Sequence, residues 1–93
     1  MAAVAADMKG AWGYAVGQPN KATAERLARQ GCGNRRCRII GSAQAQCIAY
    51  WHFTGGGYWF GVGIGDGKTA MQTAARGCGH PQRPCVPKEL RCS

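Results

Sequence analysis

Apolar positions along the chain follow two rhythms, and each rhythm occurs twice. Ala2–Ala6 and Cys47–Phe53 are short apolar runs, each followed by a glycine-bearing turn, Met8–Gly10 and Thr54–Gly57. A second run then follows in each case, Trp12–Gly17 and Tyr58–Ile64. Runs of this length joined by a turn containing glycine read as β-hairpins, because glycine supplies the positive φ that a tight turn requires. From about Lys21 the period changes. Ala24, Leu27, Ala28 and Gly31 recur at i, i+3, i+4 and i+7, with Lys21, Glu25, Arg26, Arg29 and Gln30 largely opposite. This spacing predicts an amphipathic helix. Ala70, Met71, Ala74 and Ala75 mark a second helix, with Lys68, Gln72 and Arg76 facing outward. Asn20 and Asp66 are suited to N-caps, and glycine at the far end of each helix suits a left-handed C-cap. Third strands are expected near Arg36–Ser42 and Cys85–Arg91. Pro84 and Pro87 place the latter at a sheet edge, since proline cannot donate to a ladder.

The repetition extends to individual residues. Trp12-Gly13-Tyr14-Ala15-Val16-Gly17 matches Phe60-Gly61-Val62-Gly63-Ile64-Gly65, Thr23-Ala24 matches Thr69-Ala70, Ala28 matches Ala74, and Gly31-Cys32-Gly33 matches Gly77-Cys78-Gly79. The chain therefore reads as one domain built by tandem duplication of a strand-strand-helix-strand unit, with repeat 1 at about 2–46 and repeat 2 at about 47–93. Alanine-rich helix faces fit closely on glycine-rich strands, which points to an α+β fold: an antiparallel sheet with two helices. Gly61, Gly63, Gly65 and Gly67 alternate, so one face of that strand carries no side chains and something must lie close against it. The candidates are the domain's own helix, an aromatic ring, or the backbone of a partner.

Composition changes the picture of what holds such a fold together. Leu, Ile, Val and Phe number only twelve of 93 residues, and the net charge is +8, a balance otherwise typical of disordered chains. Six Cys, fifteen Ala and six Trp plus Tyr argue instead for a thin core held by cross-links. An even cysteine count in so short a chain points to disulfides and an oxidising compartment, secreted or periplasmic; six reduced cytosolic thiols are the alternative. Of the fifteen pairings that six cysteines allow, the symmetry of the repeat favours Cys32–Cys37 and Cys78–Cys85 as staples from helix end to next strand. Cys47–Cys92 would then join the third cysteines across a pseudo-twofold axis. No secretory leader is visible after Met1, which reads as a start codon added to a mature or trimmed form. The 27 uncharged residues between Arg38 and Asp66 contain seven glycines and several polar residues, so they do not read as a membrane span.

The order of motifs resembles the bacterial family catalogued as domain of unknown function 4189. The residues that carry the resemblance are Trp12–Gly17, Ala22–Gly33, Cys37–Ile40 and Cys47, then Phe60–Gly65, Thr69–Gly79, Cys85 and Cys92. The resemblance spans nearly the whole chain. It implies an exported, disulfide-bonded protein, and it carries over no catalytic residue.

Candidate chemistry is sparse. Gly65-Asp66-Gly67-Lys68-Thr69 lies where a phosphate loop would, but a Walker motif needs glycine at position 62, which is Val62. The segment reads as a helix N-terminus entered through a tight turn, with weak anion binding as its remaining use. Cys78, His80 and Cys85 do not have zinc-site spacing, so no metal and no cofactor is expected. The four carboxylates, Asp7, Glu25, Asp66 and Glu89, form no evident pair, and no G-x-S-x-G is present. His52 and His80, with a lysine, could run metal-free RNA cleavage by general acid–base chemistry.

The stronger signal is cationic. Arg26, Arg29, Arg35, Arg36 and Arg38 fall within thirteen residues, with Arg83, Lys88 and Arg91 later in the chain. Such a patch suits phosphate, lipid A, an acidic glycan or an acidic protein surface. Trp51, Phe53, Tyr58 and Trp59 could stack bases, but filling the thin core is the favoured role, so nucleic acid is not the favoured partner. The function expected is a non-enzymatic binding protein for an acidic macromolecule, of inhibitor or immunity type or a secreted effector. A small basic ribonuclease is the alternative.

Overall fold

Both strand-strand-helix-strand units form as the apolar rhythm predicts. The computed structural model describes residues 1–93. The first unit comprises β1 (Ala2–Ala6), β2 (Trp12–Ala15), α1 (Lys21–Cys32) and β3 (Arg38–Ala43). The second comprises β4 (Cys47–Phe53), β5 (Phe60–Gly65), α2 (Gly67–Cys78) and β6 (Cys85–Cys92). The caps are those read from sequence: the Asn20 and Asp66 side chains accept from the Thr23 and Thr69 amides, and Gly33 and Gly79 end the helices at φ 87° and 109°.

The strands do not join into one sheet. They form two three-stranded antiparallel sheets of the same order, β2-β1-β3 and β5-β4-β6. The sheets face each other, and each carries its helix on the outer side. Alternation along the central strands shows this layering. Ala3 and Ala5 of β1 pack with Ala24 and Ala28 of α1, whereas Ala2 and Val4 pack with Ile48 of β4. Cys47 and Ala49 of β4 pack in turn with Ala70 and Ala74 of α2. Between the sheets, Trp12, Tyr14, Val16, Val62 and Ile64 complete the inner layer. The Arg91 side chain of β6 donates to the Tyr14 hydroxyl of β2 across it, at 3.0 Å.

Residue size sets the layer spacing. The buried residues are mostly alanine and cysteine, and the bulkiest fully buried side chains are Ile48, Val4 and Cys78. Strand glycines meet the helices backbone to backbone. A Cβ on Gly63 would overlap the Ala70 carbonyl, one on Gly61 the Ala74 carbonyl, and one on Gly13 the Ala28 carbonyl and Cys32 amide. The occupant of the glycine-lined face of β5 is therefore α2, and that face is closed to a partner's backbone.

Three disulfides replace the bulk that the core lacks. Cys32–Cys37 and Cys78–Cys85 tie each helix end to the segment leading into the next strand. Cys47–Cys92 differs from the symmetric arrangement expected. It joins directly paired residues of β4 and β6, so it lies inside the second sheet and not across the two units. The position of Cys47 corresponds to Met1 in the first unit, one residue before the first paired residues, Ala2 and Ala43.

Two outcomes follow for stability. Gly63→Ala should lower the melting temperature by roughly 10 °C or more, because a core with no room is overpacked. Gly67→Ala, at the open first turn of α2, should change stability by no more than about 0.5 kcal/mol. In urea unfolding, replacing Cys47 and Cys92 by alanine should cost about 4 kcal/mol, against about 2 for Cys32 and Cys37, because the first pair closes a far longer loop.

Candidate functional site

Four loops meet at one end of the sandwich. Ala6 pairs with both Trp12 and Arg38, so the β1–β2 turn and the α1–β3 loop emerge together. In the second sheet His52 pairs with Phe60 and Phe53 with Cys85, which brings the β4–β5 turn to the α2–β6 loop. The two sets adjoin where Gly10 lies under the Tyr58 ring.

Asp7 organises the first set. Its carboxylate accepts from the Lys9 amide at 2.7 Å, the Ala11 amide at 3.0 Å and the Asn34 side chain at 2.9 Å. These bonds hold Met8 at φ 66°, a left-handed conformation uncommon for a side chain of its size. The amide bond from Lys9 foremost, then that from Asn34, keep the Asp7 carboxyl below the ordinary carboxylate value. Asn34 in turn accepts from the Arg36 amide, so the turn braces the arginine-bearing loop. In the second set, the Thr54 amide and hydroxyl both donate to the Pro84 carbonyl, and the Trp59 indole N–H donates to the Cys78 carbonyl at 2.8 Å. The Arg83 guanidinium lies 4.9 Å from the Trp59 ring, within cation–π range.

Between the two sets opens a cleft of about 150 Å³. Its walls are aromatic: Trp12, Tyr50, Phe53, Tyr58 and Trp59. Trp12 and Tyr50 stack across the sheets with ring centroids 4.1 Å apart, and Phe60 stacks on the far side of Tyr50. Burial, and secondarily the charge on Asp7, raises the Tyr50 phenol above its ordinary value. The polar side chains at the wall are His52 and Lys88. Lys88 arrives there through a β-bulge. Tyr50 pairs with Glu89 and Trp51 with Pro87, which leaves Lys88 as the extra residue whose side chain the bulge re-aims.

A family described as a domain of unknown function, DUF4189, matches residues 1–92. The chain belongs to that family. No curated protein and no solved structure matches it.

In this DUF4189 domain the arginines singled out from sequence are all exposed. Arg35 and Arg36 lie in the loop closed by Cys32–Cys37, Arg38 begins the edge strand β3, and Arg26 and Arg29 share a face of α1. None of the five is in an ion pair; the two ion pairs join Lys21 to Glu25 and Arg91 to Glu89. The histidines are not brought together. His52 faces the cleft between the sheets, whereas His80 packs against Trp51, whose side chain lies on the opposite, helix-facing side of β4. A sheet thus stands between the two groups that a general acid–base pair would require, and the geometry does not support RNA cleavage by His52 and His80. The N-terminus of α2 is likewise unsuited to an external anion, because the Asp66 carboxylate already occupies it. All six cysteines are in disulfides, and no cluster of three or more His, Cys, Asp or Glu is placed to hold a metal ion. No helix is long and apolar enough to cross a membrane.

Tyr58 and Trp59 depart from their expected role. Both precede β5 and are substantially exposed, at 64% and 49%, so they form a rim and not a core. Their position directly after three consecutive glycines was the available signal, since the turn those glycines begin extends to Trp59 before β5 starts.

Removing the Asp7 carboxylate tests the brace. Asp7→Ala should speed amide exchange at residues 9–11 and 34–37 together, while the strands stay protected. A lowered carboxyl value means that its stabilisation is present above pH 3.8 and is lost as pH falls through the lowered value. Asp7→Asn should therefore show a smaller loss of stability below pH 3.8 than the parent, the residual loss arising from Asp66, whose carboxyl is also lowered.

Proposed function

We propose that this DUF4189 domain is an exported, non-enzymatic binding protein whose arginine face docks an acidic macromolecule, acting as an inhibitor or immunity-type protein or as a secreted effector. The observation that carries this is the state of Arg26, Arg29, Arg35, Arg36 and Arg38: five exposed guanidiniums with no carboxylate partner, mounted around a disulfide. An unpaired guanidinium keeps its planar donor fork free for carboxylate or phosphate oxygens. Holding two of them in a loop closed by Cys32–Cys37 and braced by Asp7 and Asn34 lowers the ordering cost of docking. A net charge of +8 adds long-range attraction toward an acidic surface. Three disulfides suit an oxidising compartment, which supports export.

Affinity capture from the native compartment at low and high salt tests this reading. An acidic partner should be retained at low salt and released at high salt. Arg35→Ala with Arg36→Ala should weaken that partner's binding roughly 3- to 30-fold and flatten its salt dependence. Unchanged binding in the double variant, or RNA cleavage by the purified protein that disappears in His52→Ala, would reject the proposal.

A further inference from the structure

None of the five arginines lines the aromatic cleft, which has its own chemistry. We infer that it is a binding site for a single six-membered aromatic ring carrying a carboxylate, with the ring against the stacked Trp12–Tyr50 wall and the carboxylate at Lys88.

Size selects one ring. An apolar cavity of roughly 150 Å³ accepts a benzene-sized ligand, and the cleft has about that volume. Wall chemistry selects an aromatic ring over a sugar. Five aromatic side chains line the cleft beside His52 and Lys88, and their ring faces offer no hydrogen bond, so hydroxyls of a bound hexose turned toward them would lose water without gaining a partner. With the Tyr50 ring already stacked between Trp12 and Phe60, edge-to-face contact with the Trp12–Tyr50 stack is the favourable alternative for a flat π-system.

Charge selects an anion. Lys88 and His52 line the cleft, no carboxylate does, and Arg83 sits on the rim over Trp59. The carboxylate of Asp7, whose charge reaches Tyr50, is held in its own loop by three hydrogen bonds. Lys88 has no ion-pair partner in the protein. The bulge that supplies it recurs in the first unit, where Ile40 is the extra residue; in the second unit that position carries an ammonium beside the aromatic wall.

The walls are also set before any ligand arrives. Trp12 is stacked on Tyr50, the Trp59 indole is tied to the Cys78 carbonyl, and Tyr58 rests on Gly10. A preformed site of this kind spends little of its binding free energy on ordering.

Titration of the intact domain with benzoate tests the inference, followed by tryptophan fluorescence and by amide chemical shifts. Saturable shifts confined to the residues around Gly10, Trp12, His52, Tyr58 and Lys88 are the expected result. Benzyl alcohol, an uncharged ring, and cyclohexanecarboxylate, an anion without aromaticity, should each bind about fivefold or more weakly, and glucuronate should not saturate. Lys88→Gln, at an exposed position, should reduce benzoate to the level of benzyl alcohol while leaving benzyl alcohol unchanged; Lys88→Arg should restore it. N-acetyl-phenylalanine separates two sources of the same chemistry: tighter binding than benzoate assigns the ligand to the C-terminal aromatic residue of a chain, and weaker binding assigns it to a free aromatic acid. Arg35→Ala with Arg36→Ala should leave all of these affinities intact, which keeps this test distinct from that of the arginine face. Absence of saturable shifts at the cleft, equal binding of benzoate and benzyl alcohol, tighter binding of glucuronate, or indifference to Lys88→Gln would each overturn it.

Discussion

Direct contact between strand backbone and helix backbone, with Gly13, Gly61 and Gly63 lying under the carbonyls of alanine-rich helices, is the constraint from which the other features follow. Helices this close to their sheets leave alanine and cysteine as the buried residues of the outer layers, and the larger side chains that pack there, Leu27, Ile39, Trp51 and Met71, are only partly buried. Burial of a methyl group contributes far less than burial of a branched side chain, at about 25 cal/mol per Å² of apolar surface. The layers are therefore closely fitted yet individually weak. Covalent bonds at Cys32–Cys37, Cys78–Cys85 and Cys47–Cys92 offset that weakness by restricting the unfolded chain.

The same constraint displaces the large aromatic residues. Trp51 aside, the rings of Trp12, Tyr14, Tyr50 and Phe60 stack between the two sheets, and where that space opens at one end Trp12 and Tyr50 become part of the wall of a cleft. Both helices terminate at this end. Their last turns carry Arg29 and Arg76, where positive charge complements the partial negative charge of unsatisfied carbonyls. Cationic side chains and exposed rings are thus concentrated on one pole, while the two capped helix N-termini and the chain ends lie at the other.

Much of this organisation was legible in the sequence because it is local or periodic. Asn20, Asp66, Gly33 and Gly79 declare helix boundaries through capping chemistry, and the alternating glycines announce a close neighbour. The duplicated spacing of cysteines pointed to the right bonds, but symmetry misplaced one of them: Cys47–Cys92 staples a single sheet, and the first unit has Met1 in the place of Cys47. What sequence periodicity does not carry is the identity of the surface each strand face meets. β1 and β4 are apolar on both faces, so the pattern was equally consistent with one sheet or with two sheets face to face. The cleft was hidden for a related reason. Tyr58 and Trp59 read as the start of a strand, and Lys88 faces the aromatic wall only because a one-residue irregularity shifts the register of β6.

The asymmetric staple has a mechanical consequence. Tension applied beyond Cys92 passes through the sulfur bridge into Cys47 at the head of β4, a central strand, so the load bypasses the hydrogen bonds of β6 and cannot peel that edge away. Tension applied before Ala2 meets no such bridge. It acts directly on the ladders of β1, beginning where Ala2 faces Ala43. A pull between the two ends therefore loads the first unit, while the segment closed between Cys47 and Cys92 stays outside the path of the force.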